Sequence, residues 1–135
     1  MERKIKLLIV DDEERFLKTL SDRLSLRDFD VTPVTRGEDA VELARNQPFD
    51  LALVDLKMPG INGDEVLRIL KKEHPLMEVI ILTGHGSVES AVEATQAGSF
   101  SYLQKPARTE DLMRVLKEAY AKRVQRKLEL TDKRL

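Results

Sequence analysis

The sequence predicts an α/β domain in which helices cover both faces of one parallel sheet. Five short apolar runs alternate with amphipathic segments. Three of the runs are almost continuously apolar, as expected of parallel strands that are buried on both faces. Repeated strand and helix alternation gives right-handed crossovers and a doubly wound sheet. The chain has 135 residues, which is the usual size of a single domain with one core.

The apolar runs set the predicted strands. They lie near residues 5–10, 30–34, 50–54, 78–82 and 100–104. Pro33 has no backbone N–H to donate, so the second strand is predicted to lie at a sheet edge or to be irregular.

Apolar residues spaced three or four apart predict the helices between the strands. The first three helices are indicated by Phe16, Leu17, Leu20 and Leu24, by Ala40, Val41 and Ala44, and by Val66, Leu67, Ile69 and Leu70. A fourth helix, from about Ser87 to Gln96, has a thin apolar face and is expected to pack lightly. The last helix is predicted from Arg108 toward Glu129, longer than one sheet requires.

Composition excludes several classes of function. The chain has 23 basic and 24 acidic side chains and no cysteine. A balanced charge favours neither nucleic acid nor an anionic membrane, and the lack of thiols excludes thiolate metal sites and cysteine nucleophiles. No stretch approaches the ~20 apolar residues of a membrane span, and the first residues lack a secretory signal, so we expect a cytoplasmic protein. From Arg108 onward nine residues are basic and five acidic, which we interpret as a solvated helix face.

Polar side chains stand where four of the predicted strands end. They are the pair Asp11 and Asp12, then Asp55, Thr83 and Lys105. Ligands of parallel α/β sheets bind in the crevice at the carboxyl ends of the strands. Three carboxylates, a hydroxyl and an ammonium on one rim have the composition of a magnesium and phosphoryl site. Asp11 and Asp12 are also expected to cap the first helix.

Four motifs at these strand ends resemble the receiver domain of bacterial response regulators. They are VDDE at 10–13, DLKMPGINGDEVL at 55–67, ILTGHGS at 81–87 and GSFSYLQKP at 98–106. The resemblance covers about residues 5–122 and implies a flavodoxin-like sheet of order 2-1-3-4-5. The LTGHGS motif further resembles receivers attached to ATPase-type transcription activators. We therefore expect a receiver domain over residues 1–122, with residues 123–135 as a helical extension or linker.

The resemblance implies a role for each residue of the rim. Asp55 is expected to accept a phosphoryl group from a sensor histidine kinase or a phosphotransfer protein. Asp12 and Asp55 are expected to bind Mg²⁺ directly, Asp11 largely through water, and Lys57 through its backbone carbonyl. A carboxylate is a poor nucleophile toward a phosphoryl group because both are anionic, so such a site must supply cations.

The same resemblance predicts how the domain switches. Lys105 is expected to pair with a phosphoryl oxygen and Thr83 to donate its hydroxyl to another, so both gain a partner only after phosphorylation. Tyr102 is expected to turn inward into the space that Thr83 leaves. The Lys105–Pro106 peptide bond is expected to be cis.

Two further positions border the predicted site. Lys57 lies two residues after Asp55 and His85 two residues after Thr83, and we hypothesise that both set the lifetime of the phosphorylated form. His74, before Pro75, is expected to be an exposed residue at a helix end.

The sequence leaves other classes of protein open. An aspartate-nucleophile phosphatase typically has a second acid two residues after the nucleophile, where this chain has Lys57. A nucleotide-binding module requires a glycine-rich loop after the first strand, where the sequence reads VDDEERF. A degenerate receiver acting as a phosphorylation-independent scaffold, or an isolated receiver fragment of a transcription activator, fits the same motifs. Expected partners are a downstream protein target, an output domain or a second copy of the chain; direct contacts with nucleic acid or membrane are not expected.

Overall fold

The chain forms one five-stranded parallel sheet with five helices. A computed structural model describes residues 3–134; residues 1, 2 and 135, which belong to the predicted domain and extension, lie outside the described part. The strands are β1 (Ile5–Val10), β2 (Phe29–Val34), β3 (Leu51–Val54), β4 (Glu78–Thr83) and β5 (Ser101–Gln104). The helices are α1 (Glu14–Ser25), α2 (Gly37–Asn46), α3 (Gly63–Glu73), α4 (Val88–Gln96) and α5 (Thr109–Arg134).

The strand order is β2-β1-β3-β4-β5, and every pairing is parallel. This confirms the predicted order and the flavodoxin-like class. β2, which contains Pro33, lies at an edge of the sheet and has no further strand to pair with on its outer side. An edge strand is where a proline is tolerated. The chain reverses strand order between β1 and β3, so a crevice opens at the carboxyl ends of these two strands.

Two apolar layers hold the helices on the sheet. On one face, α2, α3 and α4 pack on alternate residues of the central strands, such as Val54 and Ile81. On the other face, α1 and α5 pack on the intervening residues, such as Leu53 and Ile80. Side chains of a strand alternate between faces, so near-continuous apolar runs supply both layers.

The helices differ in how firmly they are held. Ala94 is the one buried residue of α4, which confirms the predicted light packing. α5 continues five residues beyond the predicted Glu129 as one helix of 26 residues. No helix within residues 3–134 has both the length and the apolar character needed to cross a bilayer.

Two local predictions are wrong. The N-cap of α1 is Glu13 rather than Asp11 or Asp12, and Asp11 instead accepts a hydrogen bond from the Glu13 backbone N–H at 2.9 Å. His74 is the C-cap of α3 but is half-buried, not exposed. Its Nε2 is enclosed and has no hydrogen-bond partner among the described residues.

Candidate functional site

The ends of four strands meet at one rim because the sheet is parallel. The Asp55 backbone N–H donates to the Val10 carbonyl at 3.0 Å, and the Lys105 N–H donates to the Thr83 carbonyl at 2.9 Å. These bonds extend the ladders just past the strands. The structure thus brings all of the sequence-predicted rim residues to one crevice.

Three carboxylates cluster in this crevice. Asp11, Asp12 and Asp55 each offer an oxygen, and the three oxygens lie within 4.8 Å of one another. Asp11 and Asp55 are each only 2% exposed, whereas Asp12 is more accessible. Asp55 Oδ1 is buried and has no hydrogen-bond partner within residues 3–134. A buried oxygen of this kind is costly unless a cation or donor joins it, so the donor set fits a hard divalent ion.

Lys105 provides the positive charge inside the cluster. Its Nζ lies 2.7 Å from Asp11 Oδ2, 3.3 Å from Glu13 Oε1 and 3.8 Å from Asp55 Oδ2. It also sits 4.2 Å from the centroid of the Phe16 ring, at cation–π distance. Sequence reasoning missed Glu13 and Phe16, which read as an ordinary first turn and a core residue. The Lys105–Pro106 peptide bond is cis, as expected.

Burial and the neighbouring charges act in opposite directions on the pKa of Asp11 and on that of Lys105. Burial raises the pKa of Asp11, outweighing the hydrogen bonds from Lys105 and Glu13 that oppose it. Burial lowers the pKa of Lys105, but the hydrogen bond and charge of Asp11, the charge of Asp55 and the hydrogen bond to Glu13 reverse this into a net increase. Lys105 therefore stays charged, while the carboxylates around it lack enough cations.

Gly63 lets α3 begin directly against the backbone of Asp55 and Leu56, which follow β3. A Cβ placed on Gly63 would lie 1.9 Å from the Asp55 carbonyl oxygen, and its N–H donates to the Leu56 carbonyl at 2.7 Å. Only glycine allows this approach. The sequence indicated a turn here but not the contact with the Asp55 backbone.

Thr83 and the two bordering residues line the mouth of the crevice. The Thr83 side chain is fully buried, and its Oγ1 accepts the His85 backbone N–H at 3.1 Å. His85 and Lys57 are exposed and line a common cavity of about 320 Å³ together with residues of α3 and α4. The cavity also contacts Leu56, the residue that follows Asp55.

Tyr102 is tied to the first turn of α4. Its hydroxyl lies 2.6 Å from Ser90 Oγ, and Ser90 forms a reciprocal capping box with Ser87. A Cβ on Gly86 would lie 2.7 Å from the Tyr102 hydroxyl, so the ring packs closely over this loop. The Ser87 and Ser90 spacing indicated a helix start in the sequence, but nothing in it indicated the tyrosine contact.

Comparisons with known proteins identify the family. The family model for the response regulator receiver domain matches residues 7–117. The chain is 37% identical over 113 residues to the transcriptional regulatory protein GlrR of Escherichia coli, covering 84% of this chain and 26% of that protein. It thus spans about a quarter of the length of the curated relatives it matches.

Solved structures of response regulators also match this fold. A CheY-like receiver domain protein from Methanospirillum hungatei superposes with a TM-score of 0.88 at 30% identity, covering 91% of this chain and 98% of that one. A response regulator from Burkholderia pseudomallei, solved with a phosphorylated aspartic acid, calcium ion and citrate, gives a TM-score of 0.80 at 30% identity, covering 95% of this chain and 75% of that one. With its sheet order, its crevice and these relatives, the chain belongs to the response regulator receiver domains of two-component signalling.

Proposed function

We propose that Asp55 is the phosphoryl acceptor of this receiver. The observation that carries the proposal is its buried carboxylate at the end of β3, with an oxygen that lacks a hydrogen-bond partner within residues 3–134 and with Lys105 Nζ at 3.8 Å. The donor is a phosphohistidine of a sensor kinase or phosphotransfer protein. An Asp55 oxygen forms the new bond to phosphorus while the phosphorus–nitrogen bond breaks, and the imidazole keeps the electron pair and takes up a proton.

Mg²⁺ would be held by Asp12 and Asp55, by Asp11 largely through water, and by the Lys57 backbone carbonyl. The three clustered oxygens and the unpaired Asp55 Oδ1 support this set. When bound, the ion supplies the positive charge that lets an anionic donor approach an anionic acceptor. The Burkholderia pseudomallei regulator was solved with a phosphorylated aspartic acid and a calcium ion, so a relative of this fold carries both a modified aspartate and a divalent cation.

Lys105 would move from one anion to another during the reaction. In the structure its ammonium is closest to Asp11. A phosphoryl group adds about −1.5 to −2 charges and strong acceptors at Asp55, which draws the ammonium from Asp11 to the new oxygen. The long side chain of lysine permits this exchange without movement of the strand.

Thr83 and Tyr102 would convert the new charge into a change of surface. The Thr83 hydroxyl accepts the His85 N–H at 3.1 Å and still has its own hydrogen to donate to a phosphoryl oxygen. Its movement would leave space for the Tyr102 ring, which must first leave Ser90. A changed surface at α4 and β5 is the signal to a downstream target or an attached output domain, or to a second copy. No direct contact with nucleic acid or membrane is part of this proposal, and the expected location is the cytoplasm.

Lys57 and His85 would set the lifetime of the acyl phosphate, because both are exposed close in sequence to Asp55 and Thr83 and line a common cavity that reaches Leu56, the residue after Asp55. This self-dephosphorylation is slow hydrolysis rather than turnover of a substrate. Exchanging either residue for alanine is expected to change the hydrolysis rate of the phosphorylated protein, with Lys72→Ala as a matched exposed control. An unchanged hydrolysis rate in either variant would refute this hypothesis.

The acceptor is tested by incubation with acetyl phosphate and Mg²⁺, followed by intact mass measurement. We expect one phosphoryl group per chain, no adduct in Asp55→Asn, and a normal adduct in Asp64→Asn, a matched change on an acid of the first turn of α3. No adduct in the native protein, with either this donor or a kinase, would favour a phosphorylation-independent scaffold. Rapid turnover of many phosphate esters would favour a phosphatase.

A further inference from the structure

A buried acid lies at the opposite end of the sheet from Asp55. Glu78 begins β4 and is 1% exposed. Its Oε1 accepts a hydrogen bond from Lys71 Nζ of α3 at 3.4 Å, and Lys71 is itself fixed by the carbonyls of Pro75 and Met77 at 3.1 and 2.9 Å. One oxygen of Glu78 is therefore compensated from the α3 side of the sheet.

The other oxygen faces the last helix. Glu78 Oε2 lies 3.5 Å from Arg126 Nη1 and 3.7 Å from Lys122 Nζ, both on α5. It has no hydrogen-bond partner within the described residues. Its charge is therefore offset by these two cations through electrostatic attraction at close range. A buried carboxylate that loses its cations is strongly destabilising. Glu78 therefore requires α5 to lie against this end of the sheet.

A second buried acid nearby also requires α5 to lie against this end of the sheet. Asp50 precedes β3 and is 8% exposed. Its Oδ2 accepts the Lys6 backbone N–H at 2.8 Å, and its Oδ1 accepts from Arg123 Nε at 3.1 Å. Arg123 and Arg126 both lie beyond residue 117, where the family match ends.

We propose that Asp50 and Glu78 form a charge clamp that docks residues 122–126 of α5 on the base of the sheet, the end formed by the amino termini of the strands. The part of α5 beyond the family match is then a folded part of the domain rather than a linker. The clamp fixes the direction in which the helix leaves the receiver. This inference does not depend on phosphorylation of Asp55.

The clamp also fixes which face of the extension meets solvent. Lys122 and Arg126 are four residues apart and so share one side of the helix. Val124 and Leu128 share a different side and are 39% and 60% exposed. Holding the charged pair against Glu78 therefore leaves this apolar pair partly exposed beside Asp50, with which both residues line a cavity, in a constant orientation relative to the sheet.

Without the clamp the extension should fray. Helices shorter than about 12–15 residues are marginal in water, and most helical stability comes from packing. The residues after Tyr120 have few apolar contacts of their own, since Val124, Leu128 and Leu130 are exposed. Their hydrogen bonds should open locally when the charges that dock them are removed.

Hydrogen exchange detected by mass spectrometry tests the clamp in the unphosphorylated protein. In Glu78→Gln, amides of residues 121–130 are expected to exchange roughly tenfold faster, while those of β1 and β3 stay protected. Glu78→Gln changes a buried site and can affect the whole domain. Arg126→Gln changes the more exposed partner of the same ion pair and should show the same local increase. Phosphoryl uptake by Arg126→Gln should be unchanged, which separates this test from that of Asp55.

Arg114→Gln is the matched control. Arg114 lies on the same helix but pairs with Asp111 and Glu118 of α5 itself. Its replacement should leave exchange in residues 121–130 as in the native protein. If Glu78→Gln and Arg126→Gln exchange no faster than Arg114→Gln in this segment, the clamp does not hold the extension.

Discussion

The two ends of the sheet contain the same kinds of side chain in opposite proportions. At the carboxyl end, the carboxylates of Asp11, Asp12 and Asp55 lie together, and the one ammonium beside them, that of Lys105, contacts Asp11, Glu13 and Asp55. At the base, two buried carboxylates are met by four cations, which are Lys71, Lys122, Arg123 and Arg126. A surplus of negative charge requires a cation from outside and makes a ligand site. The base compensates its own acids, so it stabilises structure.

The same chemical change should therefore have opposite effects at the two ends. Glu78→Gln removes the buried charge on which three cations converge and is expected to lower the free energy of unfolding by about 2 kcal/mol. Denaturant unfolding followed by circular dichroism measures this loss. Equal stability of Glu78→Gln and the native protein would mean that the acids at the base are as poorly compensated as those at the rim.

Acidification should weaken Mg²⁺ binding at the rim, whereas the base should not respond to Mg²⁺. Because the pKa of Asp11 is raised by burial, a proton competes with the ion, and Mg²⁺ affinity should fall by up to about tenfold per pH unit below that pKa. Titration calorimetry at several pH values measures this slope, and Asp11→Asn should flatten it. Hydrogen exchange at residues 121–130 should not respond to Mg²⁺.

The same shift has a defined sign without the ion. Asp11 holds its proton more tightly in the folded chain than in the unfolded one. Between the two pKa values the folded protein therefore binds more protons, and the contribution of Asp11 to the free energy of unfolding falls as pH rises through that window. A contribution from Asp11 that rises with pH there, measured as the difference from Asp11→Asn, would contradict the burial of this carboxylate.

Neutralising Asp55, the proposed acceptor, should stabilise the rim. Asp55→Asn replaces a buried oxygen that has no hydrogen-bond partner among the described residues with an amide that can donate to the neighbouring acids. We expect about 1 kcal/mol of added stability in the absence of divalent ions and loss of the stabilisation by Mg²⁺. Thermal unfolding with and without MgCl₂ measures both effects. A destabilised Asp55→Asn would show that the native carboxylate is already compensated.

The rim could be predicted from the sequence and the base could not, for a physical reason. Asp11, Asp55, Thr83 and Lys105 each follow an apolar strand, and parallel strands end at one edge. Local pattern therefore places residues that are 94 positions apart in one crevice. No sequence pattern singles out Glu78 or Arg126. Glu78 resembles an ordinary polar residue at the start of a strand, and Arg126 an ordinary polar residue on a solvated helix.

Some features of the rim were also beyond local pattern. The contact between Ser90 and Tyr102 depends on the distance between α4 and β5, which packing sets. Gly63 read as a turn residue, although its role is the close approach to the Asp55 backbone. At the base, the half-buried position of His74 is likewise not determined by residue types alone.

The smallest predicted effect concerns Ser90, at the rim and remote from the clamp. Ser90→Ala removes one side of the capping box and the partner of the Tyr102 hydroxyl, at a cost of about 0.5 kcal/mol. Exchange should rise in the first turn of α4 and stay unchanged at residues 121–130. The chain has two tyrosines and no tryptophan, so in a Tyr120→Phe background the fluorescence of Tyr102 reports its release directly. Thr95→Ala, which removes a hydroxyl bonded within α4 to the Ala91 carbonyl, is the matched control, and an equal change in that variant would show that Ser90 does not hold the tyrosine.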